Sequence, residues 1–243
     1  MQAIPADTTN GSLASRRQPS FVAQVLLVLR KDLAIEARTG DVVVTSGFFA
    51  VLSVVLVSLT LFGGPATGRL VAAGAIWLSV AFAAVLALGR AWQREREESA
   101  LDGLLVAPID KSAVFLGKAL GILGFLFTIE LVVIPLTALF FAVDLVTLGP
   151  GLVAIALVAT PGVAATGTLF GAMTVRTQAR DLLLAVVLFP LLAPTLLTAV
   201  VATRELFGGI PFAELGDYFM LMGVFDLVFV VGGVALFGTL IER

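Results

Sequence analysis

Two carboxylates lie where charge is hardest to keep. Glu130 and Asp226 are embedded in long apolar stretches, twelve residues past Lys118 and nine past Asp217. A charged acid at the centre of a bilayer costs about 2.5–3.5 kcal/mol on insertion scales, so such groups face a cavity, find a partner or hold a proton. No Lys or Arg falls at similar depth in the sequence. Two readings follow: a polar cleft between subunits that contacts substrate or partner, or neutral acids hydrogen-bonded to Thr or backbone groups. Other chemistry is sparse. The chain has no His and no Cys, which excludes disulfides, thiolate or zinc centres and imidazole acid–base catalysis. Catalytic and metal-ligating residues are therefore expected to be none. Haem ligation by this chain alone would fall to four Met and one Tyr.

The second chemically informative stretch is Arg90 to Lys118, RAWQREREESALDGLLVAPIDKSAVFLGK. Ser99 followed by Asp102 fits a capping box. A short helix from Ala100 to about Val106 would place Leu101, Leu104 and Leu105 on one face, and Pro108 would stop it. An apolar knob among charges, with Glu97, Glu98 and Asp102 beside the leucines, has the form of a docking element. A structural loop whose leucines fold back on the membrane ends is the alternative. Gly117-Lys118-Ala119 lacks the upstream glycine and the Ser/Thr of a phosphate-binding loop, so no ATP site is expected in this chain.

The positioning elements follow from composition. Of 243 residues, 59% are hydrophobic and 13% charged, about half the charge of a soluble domain, and the mean hydropathy is +1.09. The fold class is all-α and polytopic. Six spans are expected at about 42–62, 70–88, 119–142, 152–175, 182–201 and 219–241, with 90–118 as a cytoplasmic segment. Residues 1–20, rich in Ser, Thr, Gln and Pro, read as a disordered cytoplasmic tail rather than a signal peptide. Residues 21–38 read as an interfacial amphipathic helix capped by Ser20, with a cytosolic helix packed on a neighbour as the alternative. Val22, Leu26, Leu29, Leu33 and Ala37 form its apolar stripe, Gln24, Lys31 and Arg38 its polar one. Arg30, Lys31 and Arg38 would anchor it near lipid phosphates. Thirteen of the fifteen Lys and Arg fall on one side of the six spans, leaving Arg69 and Arg204 opposite. The positive-inside rule then puts both termini in the cytoplasm.

Gly74-Ala75-Ile76-Trp77, then Glu97 to Pro108, then Lys118, resemble the haem exporter protein B (CcmB-like) family, the membrane subunit of the cytochrome c maturation ABC transporter. The resemblance extends over roughly Phe21 to Arg243. Ser99 stands where the family favours Gly, and Gly103 where it favours a polar residue; Gly inside so short a helix costs about 1 kcal/mol relative to Ala. The resemblance implies an ABC-2-type permease domain over 21–243 in a prokaryotic cytoplasmic (inner) membrane. It further implies a coupling helix at Glu97, Glu98, Leu101, Asp102, Leu104, Leu105 and Pro108 that docks on a separate ATP-binding subunit. ATP would be bound by that partner, no cofactor by this chain, and haem would be the cargo. The implied partners are a haem-handling membrane protein, a small accessory subunit and a periplasmic haem chaperone. Two copies per complex are expected by analogy, and no nucleic acid. Alternatives are an ABC-2-type exporter of a lipid or drug, a proton-coupled carrier using Glu130 and Asp226, and a scaffold that transmits motion without passing cargo.

Overall fold

The computed structural model describes residues 19–60, 64–97, 103, 108–174 and 180–241. These residues are almost all helical, and no strand occurs among them. The elements are α1 (Phe21–Thr39), α2 (Asp41–Thr60), α3 (Gly64–Glu97), α4 (Lys111–Phe141), α5 (Leu145–Thr174), α6 (Arg180–Gly208), a 3-10 turn (Phe212–Leu215) and α7 (Gly216–Ile241). Six segments are long and apolar enough to cross a membrane: Asp41–Thr60, Thr67–Glu95, Lys111–Phe141, Leu145–Met173, Val186–Gly208 and Phe212–Ile241. The protein is an all-α multi-pass membrane protein.

α3 and α5 are the most enclosed spans, and α2 and α7 the least. α3 packs on α2, α4 and α6, while α5 packs on α4, α6 and α7. Small residues make that centre possible: a Cβ on Gly167 or Gly171 of α5 would collide with Leu88 or Trp92 of α3. Trp77 of α3 donates a 2.9 Å hydrogen bond from Nε1 to Thr203 Oγ1 of α6, both residues being buried. Pro135, Pro150, Pro161, Pro190 and Pro194 all lie inside continuous helices.

Several helix ends depart from the sequence expectation. α3 does not stop near Leu88 but continues through Glu97, because Leu88, Trp92 and Glu95 repeat at helical spacing and all turn inward. α4 begins at Lys111 rather than 119, since the Asp110 side chain accepts from the Ser112 N–H at 2.8 Å and caps the helix. The 90–118 stretch is thus helical at both ends. α5 likewise starts early, at Leu145: Asp144 accepts from the Val146 N–H (2.9 Å) and from Thr147 Oγ1 (2.6 Å). Those hydrogen bonds, from Thr147 first and then Val146, hold the Asp144 carboxyl below its ordinary range. α6 extends past Val201 to Gly208, and α7 starts at Gly216.

α1 ends at Gly40, whose φ of +64° suits glycine and whose N–H donates to Glu36 O at 2.7 Å. α2 follows at once, with Glu36 Oε1 accepting from the Val43 N–H at 2.8 Å, which places a carboxylate at the positive end of α2.

Candidate functional site

Arg30, Lys31, Arg38, Arg90, Arg94, Lys111 and Lys118 lie on α1, at the end of α3 and at the start of α4, which meet with the start of α2 at one end of the bundle. α1 buries the face carrying Gln24, Val25, Val28 and Glu36, with Val25 and Val28 against Gly117 of α4. Its outer stripe, Val22, Leu26, Leu33 and Ala37, is exposed. The amphipathic helix is therefore oriented with its apolar stripe outward and much of its polar stripe against protein. The approach to α4 is close: a Cβ on Gly117 would lie 2.6 Å from Val28 Cβ and 2.9 Å from Val25 O. Four residues on, Gly121 passes Asp32, so Gly117 and Gly121 form a small-residue seam for α1 with Lys118 between them.

Into that junction four charges converge. Lys31 Nζ donates to Glu95 Oε1 at 2.6 Å, and Lys118 Nζ donates to the same oxygen at 2.7 Å. Asp32 lies 3.4 Å from both ammonium groups. Lys118 Nζ also sits 5.2 Å from the centre of the Trp92 ring. The side chains of Glu95 and Lys118 are each 5% exposed, so neither charge is water-screened. Two cations and two anions balance, as burial demands. A cavity of about 20 Å3 beside Asp32, Trp92, Glu95 and Lys118 has room for one water. Burial works to lower the Lys31 pKa, but the hydrogen bond and charge of Glu95, aided by Asp32, outweigh it and hold Lys31 above its ordinary value.

A second foursome adjoins the first. Arg94 Nη2 lies 3.5 Å from Glu36 Oε2 and 3.8 Å from Asp41 Oδ2, and donates to Thr39 Oγ1 at 3.2 Å. Arg90 lies 3.9 Å from Asp41. Gln24 completes the junction: its Oε1 accepts from the Asp110 N–H at 2.7 Å and its Nε2 donates to Pro19 O at 2.9 Å. The result is a charge-balanced clasp that ties α1 to α2, α3 and α4 immediately beside the α3–α4 connection.

A family model described as CcmB protein matches residues 23–239. The chain belongs to the CcmB family. Two relatives, each named Heme exporter protein B, are similar to it over most of their length. The Rhodobacter capsulatus protein is 34% identical over 178 residues, covering 70% of this chain and 78% of its own. The Bradyrhizobium diazoefficiens protein is 28% identical over 185 residues, covering 75% and 82%. The resemblance drawn from the Glu97 to Pro108 motif and the Ile76-Trp77 region is borne out, and the CcmB match takes in α1 as well as the spans.

Among the residues singled out from sequence, Arg30 and Arg38 are exposed on α1, whereas Lys31 turns to Glu95. Its ammonium is therefore not directed at lipid phosphates, because a buried carboxylate lies within reach. Glu97 is the last residue of α3, Gly103 is helical, and Pro108 is an exposed bend. Glu98, Leu101, Asp102, Leu104 and Leu105 lie outside the described residues. Glu130 and Asp226 are not brought together as a pair; they approach α5 at neighbouring positions. Glu130 Oε1 accepts from Thr160 Oγ1 at 2.6 Å, and Asp226 lies against Gly162, where a Cβ would collide with its carboxyl. Neither forms an ion pair with a described residue. Sequence reasoning missed Asp32, Glu36, Asp41, Trp92, Arg94 and Glu95, and Lys118 as a buried group. The inward spacing of Leu88, Trp92 and Glu95 was the one available signal.

Proposed function

We propose that this chain is the membrane-spanning permease subunit of an ABC transporter complex for cytochrome c biogenesis, coupling ATP hydrolysis by a partner chain to haem export or delivery. The CcmB match over residues 23–239 carries the reading, and the names of the two relatives point to haem as the substrate. The subunit is non-catalytic, and ATP is hydrolysed on a separate ATP-binding subunit. Haem is ligated by other members of the complex, a haem-handling membrane protein and a periplasmic haem chaperone, with a small accessory subunit alongside; the absence of His and Cys from this chain agrees with that division. The basic end of the bundle faces the cytoplasm of a prokaryotic inner membrane, with both termini on that side. Two copies assemble per complex.

The clasp supplies the mechanical link. Leu101, Leu104 and Leu105, flanked by Glu97, Glu98, Asp102 and Pro108, dock on the ATP-binding subunit. Glu95 lies two residues before the end of α3, and Lys118 seven residues after the start of α4. Their ion pair joins the two helices that flank the docking segment, and Lys31 joins α1 to both. A push on the segment therefore moves α1, α3 and α4 together. Trp92, packed where Gly171 leaves no room for a side chain, passes that movement to α5 at the centre.

Co-purification tests the reading. The ATP-binding subunit is expected to accompany the wild-type chain and to be lost with Leu104→Asp or Leu105→Asp. Undiminished recovery with both variants would remove the docking assignment.

A further inference from the structure

A slot of about 360 Å3 lies between α4 and α5, walled by Phe127, Leu131 and Ile134 on one side and Gly149, Val153 and Leu157 on the other. That volume falls in the roughly 300–1,000 Å3 range of small-molecule sites. Leu131, Val153 and Leu157 are exposed, so the slot opens sideways into the bilayer. Glu130 lines it. This residue is 3% exposed. Thr160 satisfies Oε1, while Oε2 is buried without a partner among the described residues. The groove of about 540 Å3 between α2, α3 and α6 is lined by Trp77, Leu78, Phe189 and other apolar residues, with no acid. Lipid tails suit that groove, but they offer nothing to Glu130.

We propose that the α4–α5 slot binds a neutral lipophile from the bilayer interior whose hydroxyl group hydrogen-bonds to Glu130 Oε2. Depth excludes an ordinary phospholipid headgroup. Glu130 is twelve residues beyond Lys118, about 18 Å along the helix at ~1.5 Å per residue, in a hydrocarbon core ~30 Å thick. Charge excludes an anion, since no described cation stands within ion-pair distance of Glu130. A cationic group would have to be carried to the same depth at a cost of a few kcal/mol. A hydroxyl meets the carboxyl in either protonation state, because it both donates and accepts. Thr160 occupies Oε1, which leaves Oε2 with the spare hydrogen-bonding capacity, and the broad preference of the terminal carboxyl torsion lets a small tilt bring it toward the slot that Glu130 lines. The inference is independent of the haem-export reading.

The test uses the full chain in phosphatidylcholine vesicles and a long-chain secondary alcohol carrying a photoreactive diazirine and a mid-chain hydroxyl. The alkane of the same skeleton serves as the reference probe. After photolysis, adducts are mapped by mass spectrometry. The alcohol is expected to label the Leu131 and Leu157 region about three- to tenfold more than the alkane, the ratio for one hydrogen bond of ~1 kcal/mol. Glu130→Leu brings the alcohol down to the alkane level, and Glu130→Gln, which keeps a hydrogen-bonding group, restores the preference. Gly149→Leu adds a side chain to the slot while leaving Glu130 unchanged in sequence, at a position where a Cβ meets nothing within 4 Å, and abolishes the preference too. Labelling of the α2–α3–α6 groove stays constant in every variant, which reports an intact fold. Equal labelling by alcohol and alkane in the wild type, or undiminished preference in Glu130→Leu, overturns the proposal. So does efficient disulfide dimerisation of Leu131→Cys in this naturally cysteine-free chain, which would assign the slot to a second copy.

Discussion

Replacing Glu95 by Gln is the sharpest perturbation of the clasp. It keeps shape and removes the charge shared by Lys31 and Lys118, at 2.6 and 2.7 Å. At an effective dielectric of ~20, unit charges at 2.7 Å attract by about 6 kcal/mol gross. Desolvation of both groups offsets much of that, and Asp32 at 3.4 Å still holds Lys118 afterwards. Breaking a buried pair by removing one partner costs about 3–5 kcal/mol; with Asp32 remaining, about 2–4 kcal/mol is expected for Glu95→Gln. Lys118→Met should cost a similar amount, since Glu95 then keeps only the partly exposed Lys31. The double variant should be less destabilised than the two singles added together, with a coupling of about 1–3 kcal/mol. The assay is reversible unfolding in detergent, followed by Trp fluorescence, of wild type, both singles and the double. Strict additivity, or a Glu95→Gln cost below about 0.5 kcal/mol, the scale of an ordinary surface change, would refute the buried-pair argument.

Four further outcomes follow. Gly117→Val should force α1 off α4, costing about 1–3 kcal/mol by overpacking, and should lower cross-linking yield between cysteines placed on the two helices. Trp77→Phe leaves the buried Thr203 hydroxyl without its donor and should cost about 1–3 kcal/mol in the same unfolding assay. Lys31 has a raised folded pKa, so its contribution is complete below the ordinary lysine value of 10.5 and is lost as pH rises through the folded value. The stability gap between wild type and Lys31→Gln should therefore be flat across neutral pH and close only in strong alkali. Asp144 has the opposite sign: its contribution is present above the ordinary 3.8 and is lost as pH falls through its depressed value. The thermal-stability deficit of Asp144→Asn should accordingly vanish in acid.

The six spans were legible because about twenty apolar residues in a row have few other uses. The gathering of basic residues at one end was legible for a related reason, since alternating helices send α3, α4 and α6 back to it. The clasp was not. Arg90 to Glu97 reads by hydropathy as a loop, because Ala91 and Trp92 are its only apolar residues. Its helix is set by tertiary packing of Trp92 against Gly171 and by ion pairs to a segment 64 residues away in sequence. In α1 the apolar stripe faces outward, as an interfacial helix requires, and only part of the polar stripe departed from expectation. Lys31 meets the buried Glu95 and Gln24 meets the backbone of Pro19 and Asp110, contacts a helical wheel does not show, while Arg38 remains outside. Glu130 was legible as an acid in the membrane, whereas Thr160 as its donor, thirty residues on, required the three-dimensional structure.

Under the proposed function, motion passes from a partner ATP-binding subunit through the clasp to the membrane helices, and haem delivery by the assembled complex depends on that passage. ATP turnover and haem transfer to the periplasmic chaperone should be measured together in wild type and Glu95→Gln. In Glu95→Gln the ATP-binding subunit is expected to stay bound and turn over ATP while haem transfer falls by about tenfold or more, the rate effect of ~1.4 kcal/mol in a barrier. Haem transfer at the wild-type rate in a stably assembled Glu95→Gln complex would contradict it.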